Sequence, residues 1–502
     1  MTHFQRTTPT LALFLLATTA LAQPRPLTIL HVNDLHTRYL PEEAAWSRED
    51  PKPLIGGMVA LQDAVARERA ASEAVLVLDA GDWLTGTPLS EVEAAGVEGG
   101  AFLQMMNAVG FDASTIGNHD FDNGVAALEQ LIALAEFPVV SANLARNGVP
   151  LAPAPWVVLE RGGLRVGVVG LILEDLADEI SPALMAGIEV RPVAEAARAA
   201  VVALDPVTDF LILLTHQGWQ ADSLLATRVE GVDLIVGGHS HTRLREPRLV
   251  NGVLVAQAGS YARDLGRIDL MVEHDRVVSH QGRLIPLYER DVASPDPVLA
   301  GQVAHHRQQI DAEYAVVVGR AAQALGRSYY LESPLGNWMC DALRGLTDAD
   351  VALLNSGGLR ADLAAGPIMK LDIKQILPFR NTIALFNCTG VELLTILRTN
   401  AEASLRETQG ILQLSGVACT YRDGAQGAEL VEVRVGGRAV DPAAIYHVAT
   451  ADYVLSLADK YLGFTPTQPK EREGTLFTAV CAWLEAHPEV IPPVGGRFTR
   501  LP

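Results

Sequence analysis

Five short segments of this 502-residue chain gather side chains that ligate metals or move protons. They read Asp34-Leu35-His36, Gly81-Asp82, Gly117-Asn118-His119-Asp120, His216 and Gly238-His239-Ser240-His241. Imidazole and carboxylate ligands together suit zinc, manganese or iron better than calcium. A carboxylate on a tight Gly-Asp turn can bridge two such ions. Two divalent ions roughly 3.5–4 Å apart clamp the attacking and leaving oxygens of an in-line displacement and generate hydroxide near neutral pH. Taken singly, a D-x-H is a loop or capping pattern, a Gly-Asp is a turn, and His216 is a satisfied core histidine. G-N-H-D and G-H-S-H carry more weight, because each sets several ligating atoms beside a glycine that permits close approach. All five in this order, each after an apolar run, point to one metal-assisted hydrolytic site.

Residues so far apart in the chain need a scaffold that returns to one place. From about 27 to 290 the pattern alternates strand and helix. The expected strands are Leu27–Asp34, Ala74–Asp82, Ala113–Asn118, Val139–Asn143, Leu164–Ile172, Asp209–His216, Val232–Gly238, Val253–Gly259 and Arg267–Glu273. Several are nearly continuous apolar runs, which suits strands buried on both faces. Helical spacing marks Gly57–Ala70, Ala101–Val109, Val125–Leu134 and Val193–Leu204. The five polar clusters fall at the carboxyl ends of strands, where open α/β sheets bind ligands. Residues 295–317 read as a polar connecting helix in which His305 and His306 are solvated. From 318 to 502 short strands mix with helices, as in a smaller α+β domain. The expected organisation is therefore a catalytic α/β domain over 23–294, the connecting helix over 295–317 and a second domain over 318–502.

The remaining composition bounds the setting. The net charge of -20 disfavours polymeric nucleic acid as a partner, while metals and arginines can still make a site locally positive. Residues 1–22 read as a secretory signal peptide: Arg6 in a region without acids, an apolar stretch from Leu11 to about Leu21, and Ala20-Leu21-Ala22 before the cut. The mature chain is then expected to be soluble, exported to the periplasm or medium, without stable membrane insertion. Cys340, Cys388, Cys419 and Cys481 allow up to two disulfides or four buried thiols.

The order D-x-H, G-D, G-N-H-D, H, G-H-S-H resembles the calcineurin-like metallophosphoesterases. Leu27–His36 (LTILHVNDLH), Gly81–Ser90 (GDWLTGTPLS) and Gly117–Gly124 (GNHDFDNG) resemble more closely the bacterial 5′-nucleotidase family, which includes UDP-sugar hydrolases. The resemblance covers nearly all of the mature chain. It implies a layered metallophosphoesterase β-sandwich flanked by helices, followed by a smaller α+β substrate-binding domain. It implies that Asp34, His36 and His241 hold one metal, that Asp82 bridges, and that Asn118, His216 and His239 complete the second site. His119 would bind the phosphoryl group rather than metal, with Asp122 as its dyad partner. Metal-bound water or hydroxide would be the nucleophile.

The substrate side carries weaker signals. Leu353–Arg360 (LLNSGGLR) offers Asn355, the close-approach Gly358 and the fixed charge of Arg360; alone, it is a glycine turn with a surface arginine. The resemblance makes these three part of a nucleoside and phosphate pocket. Ile376–Thr382 (ILPFRNT) resembles the family's L-P-F-x-N segment, with Arg380 as a further basic candidate. The family holds a base between two aromatics; Tyr453 keeps one, while Ile411 stands where the other is expected. The family's glycine-rich motif is reduced here to Leu457–Tyr461, keeping Asp459 and the final aromatic. Tyr329 stands near the place of an expected arginine. The leading expectation is removal of phosphate from nucleoside 5′-monophosphates. UDP-sugars, 2′,3′-cyclic nucleotides or sulfur esters are alternatives at the same site, and an exported non-enzymatic binding protein is the alternative of another class.

Overall fold

The computed structural model describes residues 23–274 and 276–502; the export segment expected over 1–22 lies outside them. Two sheets face each other in the first half. One has the order Val277–Pro286, Asp264–Val272, Arg25–Val32, Val75–Asp79, Ala113–Ser114. Arg25–Val32 runs parallel to Val75–Asp79 and antiparallel to Asp264–Val272. The second sheet sets Leu164–Ile172, Phe210–His216, Leu234–Gly237 and Val253–Ala256 in parallel, with antiparallel strands at both edges.

The alternation of side chains explains the unbroken apolar runs. Leu27 and Ile29 point into the space between the sheets, where they meet Val166, Ile212 and Val236. Leu30 and Val32, one position on, point the other way into a core shared with the helices Met58–Ala71, Gly100–Val109 and Val125–Leu134. A strand covered on both faces has no solvent side and so needs no polar alternation.

Two departures from the sequence reading have local causes. Val139–Asn143 forms no strand; it makes only isolated bridges, Ser114 to Val139 and Val140 to Ala154. It crosses so near Gly170 that a Cβ there would lie 1.9 Å from the Val140 carbonyl oxygen. His306 is buried rather than solvated, with Nδ1 beside Gln309 Oε1 at 3.0 Å. It sits on the helix Pro297–Tyr314, whose inward face is Leu299, Val303, His306 and Ile310, a helical spacing of apolar contacts. Asp296 caps that helix by accepting from the N–H groups of Val298 and Leu299, and Pro297 opens it.

In the second half, the five-stranded sheet is ordered Leu412–Ser415, Val351–Asn355, Ile445–Ala451, Thr382–Thr389, Lys470–Thr475. A four-stranded sheet is built mainly from Val417–Gly424 and Gly427–Val435. All four cysteines are buried and free. Among the described residues no helix is long and apolar enough to cross a membrane.

Gly170→Ala should be among the most disruptive single-methyl changes, costing about 3 kcal/mol through forced displacement of the Val140 backbone. A urea unfolding midpoint unchanged from the parent would contradict this packing.

Candidate active site

Every metal-ligand candidate lies just past, or at the end of, a strand of the facing sheets. Asp34 and His36 follow the strand ending at Val32, Asp82 follows Asp79, Asn118 follows Ser114, His216 closes its own strand, and His239 and His241 follow Gly237. Backbone hydrogen bonds lace these loops together: Asp34 N–H to Gly81 O (2.9 Å), His36 N–H to Asp82 O (3.0 Å) and Gly238 N–H to Thr215 O (3.0 Å). Gly117 is required by contact, since a Cβ there would sit 2.2 Å from Asp82 Oδ1.

The loops turn with unusual backbone. Asp34, His36, Asp82, His239 and His241 all adopt left-handed φ between 48° and 77°. Each such non-glycine residue costs about 1–3 kcal/mol, and persists only where its surroundings over-determine it. Strain on five neighbouring loop residues marks a site shaped for its side chains.

The side chains converge. His241 Nε2 lies 3.2 Å from Asp34 Oδ1, and His36 Nε2 lies 3.1 Å from His241 Nε2. His216 Nε2 lies 3.2 Å from Asp82 Oδ2, and His239 Nδ1 lies 3.0 Å from Asn118 Oδ1. Asp34, His36 and His241 offer ligand atoms within 4.8 Å of one another, as do Asp34, Asp82 and His216. The donor set fits divalent cations. His36 Nδ1 faces Leu84 O at 3.0 Å and His216 Nδ1 faces Ala80 O at 2.7 Å. With those nitrogens donating, each Nε2 presents a lone pair inward. His216 Nε2 is buried, with Asp82 Oδ2 beside it.

The electrostatics agree. Burial alone would raise Asp34, yet the neighbouring His241 and His216 hold it down to about 2. Burial likewise opposes charge on His216, but Asp82 and Asp34 push it up to about 10. Burial and the charge on His216 bring His239 down to about 4. The two carboxylates thus demand positive charge beside them.

Two further aspartates staple the loops from beneath. Asp120 Oδ1 accepts from the N–H groups of Trp83 (2.7 Å) and Leu84 (3.2 Å), and its Oδ2 accepts from Gly117 (2.8 Å) and Asp82 (3.2 Å). Asp79 Oδ2 accepts from Trp83 Nε1 at 2.7 Å and Gly81 N–H at 3.2 Å. Neither role could be read from the sequence, where both look like ordinary neighbours of a ligand.

His119 stands beside the cluster. Its Nδ1 is 2.9 Å from Asp122 Oδ2, which also accepts from Thr85 Oγ1 at 2.6 Å. Its backbone N–H donates to Asp82 Oδ1 at 2.9 Å. Burial would lower the His119 pKa, but Asp122 and Asp82 outweigh it and raise it.

A cleft of about 670 Å³ opens over His119, lined on its far side by the second half of the chain. Asn355, Gly358, Arg360 and Tyr453 all line it. Asp459 does not: it is exposed, accepts from Thr465 Oγ1 at 3.3 Å and leaves Tyr461 to face the cleft. The short helix Ala458–Tyr461 carries both, and two positions along it separate outward from inward. Arg380 lines the cleft but is engaged by Glu98 and Glu91. Ile411 is fully buried, and the Tyr329 ring covers the neighbouring Gly410. Residues Glu179–Leu184 and Phe379 complete the wall; Phe379 belongs to the ILPFRNT segment noted in the sequence, while nothing in the types of Glu179–Leu184 announced them.

Comparison with known proteins now bears on this arrangement. Residues 27–243 match the calcineurin-like phosphoesterases, and residues 317–465 match the 5′-nucleotidase C-terminal domain. The 5′-nucleotidase of Bos taurus is 30% identical over 80% of this chain and 76% of the relative. The chain belongs to the 5′-nucleotidase family. Protein UshA of Escherichia coli is 27% identical over 87% of this chain and 86% of its own. The crystal structure of a 5′-nucleotidase precursor from Thermus thermophilus superposes with a TM-score of 0.86, at 27% identity, covering 95% of this chain and 99% of that one. The protein is a metal-dependent phosphoester hydrolase of mixed α/β architecture, as the motifs led us to expect.

Asp120→Asn would set an NH2 group against two backbone N–H donors and should destabilise the fold by about 2–3 kcal/mol. It should also lower bound metal per chain, measured by elemental analysis after loading with manganese. Unchanged stability and metal content together would refute the staple.

Proposed function

We propose that this enzyme is exported and removes phosphate from nucleoside 5′-monophosphates or closely related nucleotides. The carrying observation is the cleft that joins the Asp/His/Asn cluster and the His119–Asp122 pair to Asn355, Gly358 and Arg360 of the second half. The printed names of the relatives, 5′-nucleotidases among them, support the same class. The division proposed for the chain is a catalytic domain over 23–294, a connecting helix over 295–317 and a substrate-binding domain over 318–502. The expected leader at 1–22 underlies the proposal of export.

Asp34, His36 and His241 would hold one divalent ion, Asn118, His216 and His239 the other, and Asp82 would reach both. Zinc, manganese and iron all suit these ligands. Bound ions of this kind neutralise phosphoryl oxygens and lower the pKa of water to supply a nucleophile near neutral pH. The chain's own contribution is orientation and proton supply. The Asp122 carboxylate holds His119 Nδ1 at 2.9 Å, which leaves Nε2 as the nitrogen available to a phosphoryl oxygen in the cleft. With its pKa raised, His119 carries a proton it can place on a phosphoryl or leaving oxygen. Arg360 adds a permanent charge from the opposite wall, near enough to oppose protonation of His119. A second reading, with UDP-sugars, cyclic nucleotides or sulfur esters as substrate, is favoured by Ile411, whose burial leaves no aromatic at its position.

Exhaustive chelation should abolish phosphate release, and manganese or zinc should restore it; full activity after chelation would end the metal reading. Across a panel of nucleotides, nucleotide-sugars and cyclic nucleotides, nucleoside 5′-monophosphates should be turned over best, and a clear preference for another class would move the assignment. His119→Ala should lower kcat about 10²–10⁴-fold. The pH dependence has a definite sign. His119 acts protonated, so activity falls as pH rises through its raised pKa. Asp122→Asn removes the charge that raises it, and the alkaline limb should move to lower pH. A shift to higher pH, or none, would contradict the dyad.

A further inference from the structure

His119 is gripped from both halves of the chain. Asp122 holds its Nδ1 edge, and the rim of His36 meets it edge-on at 5.2 Å between centroids. Its face is covered by Phe379, stacked at 5.5 Å with 30° between the planes. Phe379 lies about 260 residues further along, in the turn between the helix Lys370–Ile376 and the strand Thr382–Thr389. We propose that Phe379 is a positioning residue for the reaction: it fixes the rotation of the His119 ring, so that the second half of the chain completes the proton-donating geometry as well as binding substrate. This rests on the phosphohydrolase reading above.

The turn that presents Phe379 is pinned on both sides to the first half. Lys374, whose side chain is 5% exposed, donates to Glu91 Oε1 at 2.6 Å and to the Pro378 carbonyl at 3.3 Å. Arg380, the next residue after Phe379, is held by Glu98 and Glu91. A buried ion pair of this kind contributes little net stability but specifies geometry, since misplacing either partner strands a charge. The buried Lys374 pair and the more exposed Arg380 pair bracket Phe379 on either side and together set where that ring can be. The Asp122 bond restrains rotation of the imidazole about Cβ–Cγ, and a ring packed over its face limits the tilt and swing that one hydrogen bond leaves. Misplacement of a reacting group by about 1 Å costs up to 10²-fold in rate.

The test uses the full-length enzyme with manganese or zinc, with AMP and p-nitrophenyl phosphate as substrates. Phe379→Leu keeps apolar volume and removes the flat face; kcat should fall about tenfold on both substrates, with KM within about twofold. Phe379→Tyr should recover most of kcat, and the thermal midpoint and bound metal of both variants should match the parent. A rise in KM at unchanged kcat would overturn the proposal and make Phe379 a wall of the cleft. Equal loss in the tyrosine variant would overturn it too. No turnover of either substrate by the parent enzyme would overturn the phosphohydrolase reading itself.

Discussion

Two carboxylates buried within one cluster of imidazoles govern this structure. Asp34 and Asp82 are almost fully excluded from water, and burial penalises charge on each. They remain ionised because histidines on four separate loops converge on them. Remove the opposing charge and the penalty for two desolvated anions would be several kcal/mol each. The same condition makes the cluster a cation site. The outward nitrogens of His36 and His216 are anchored to backbone carbonyls, so that a cation in the cluster would take the inward nitrogens in place of protons.

Satisfying that constraint shapes the scaffold around it. The loops can approach one another only because two sheets deliver them to the same edge, and only with left-handed backbone at five of the candidate ligand positions. Such backbone is unfavourable, and its cost is met by extensive hydrogen bonding beneath the loops. Asp79 and Asp120 each gather several N–H groups there. Burial lifts both their pKa values, to about 7 and about 8, with Asp34 and Asp82 adding to the rise, and the hydrogen bonds that each accepts oppose it. The loop staples and the ligand cluster are one electrostatic unit.

The second half of the chain acts on this unit from outside. Arg360, Tyr453, Tyr461 and Phe379 line the cleft together with Asn118, His119 and Asp122 of the first half. Lys374 and Arg380 tie their segment to Glu91 and Glu98, and Lys460 reaches the Asp178 carbonyl at 2.6 Å. The cleft is therefore a property of the two halves together.

Much of this was legible in the residues alone. Apolar runs too continuous for a half-exposed strand announced sheets covered on both faces, and the ligand types after each run announced a shared edge. Those signals are local: a strand, a turn and a ligating atom lie within a few residues of one another, so short-range sterics and periodicity expose them. The Val139–Asn143 run misled because apolar composition does not distinguish a paired strand from a segment threaded past Gly170. Asp459 and Tyr461 misled because on a helix two positions decide between solvent and cleft, and composition sets no rotation. The contact of Phe379 with His119, the pins at Lys374 and Arg380, and the staples at Asp79 and Asp120 were decided by tertiary structure alone. Each depends on the distance between groups far apart in the chain, and that distance is set by how two cores pack, which no spacing along a sequence records.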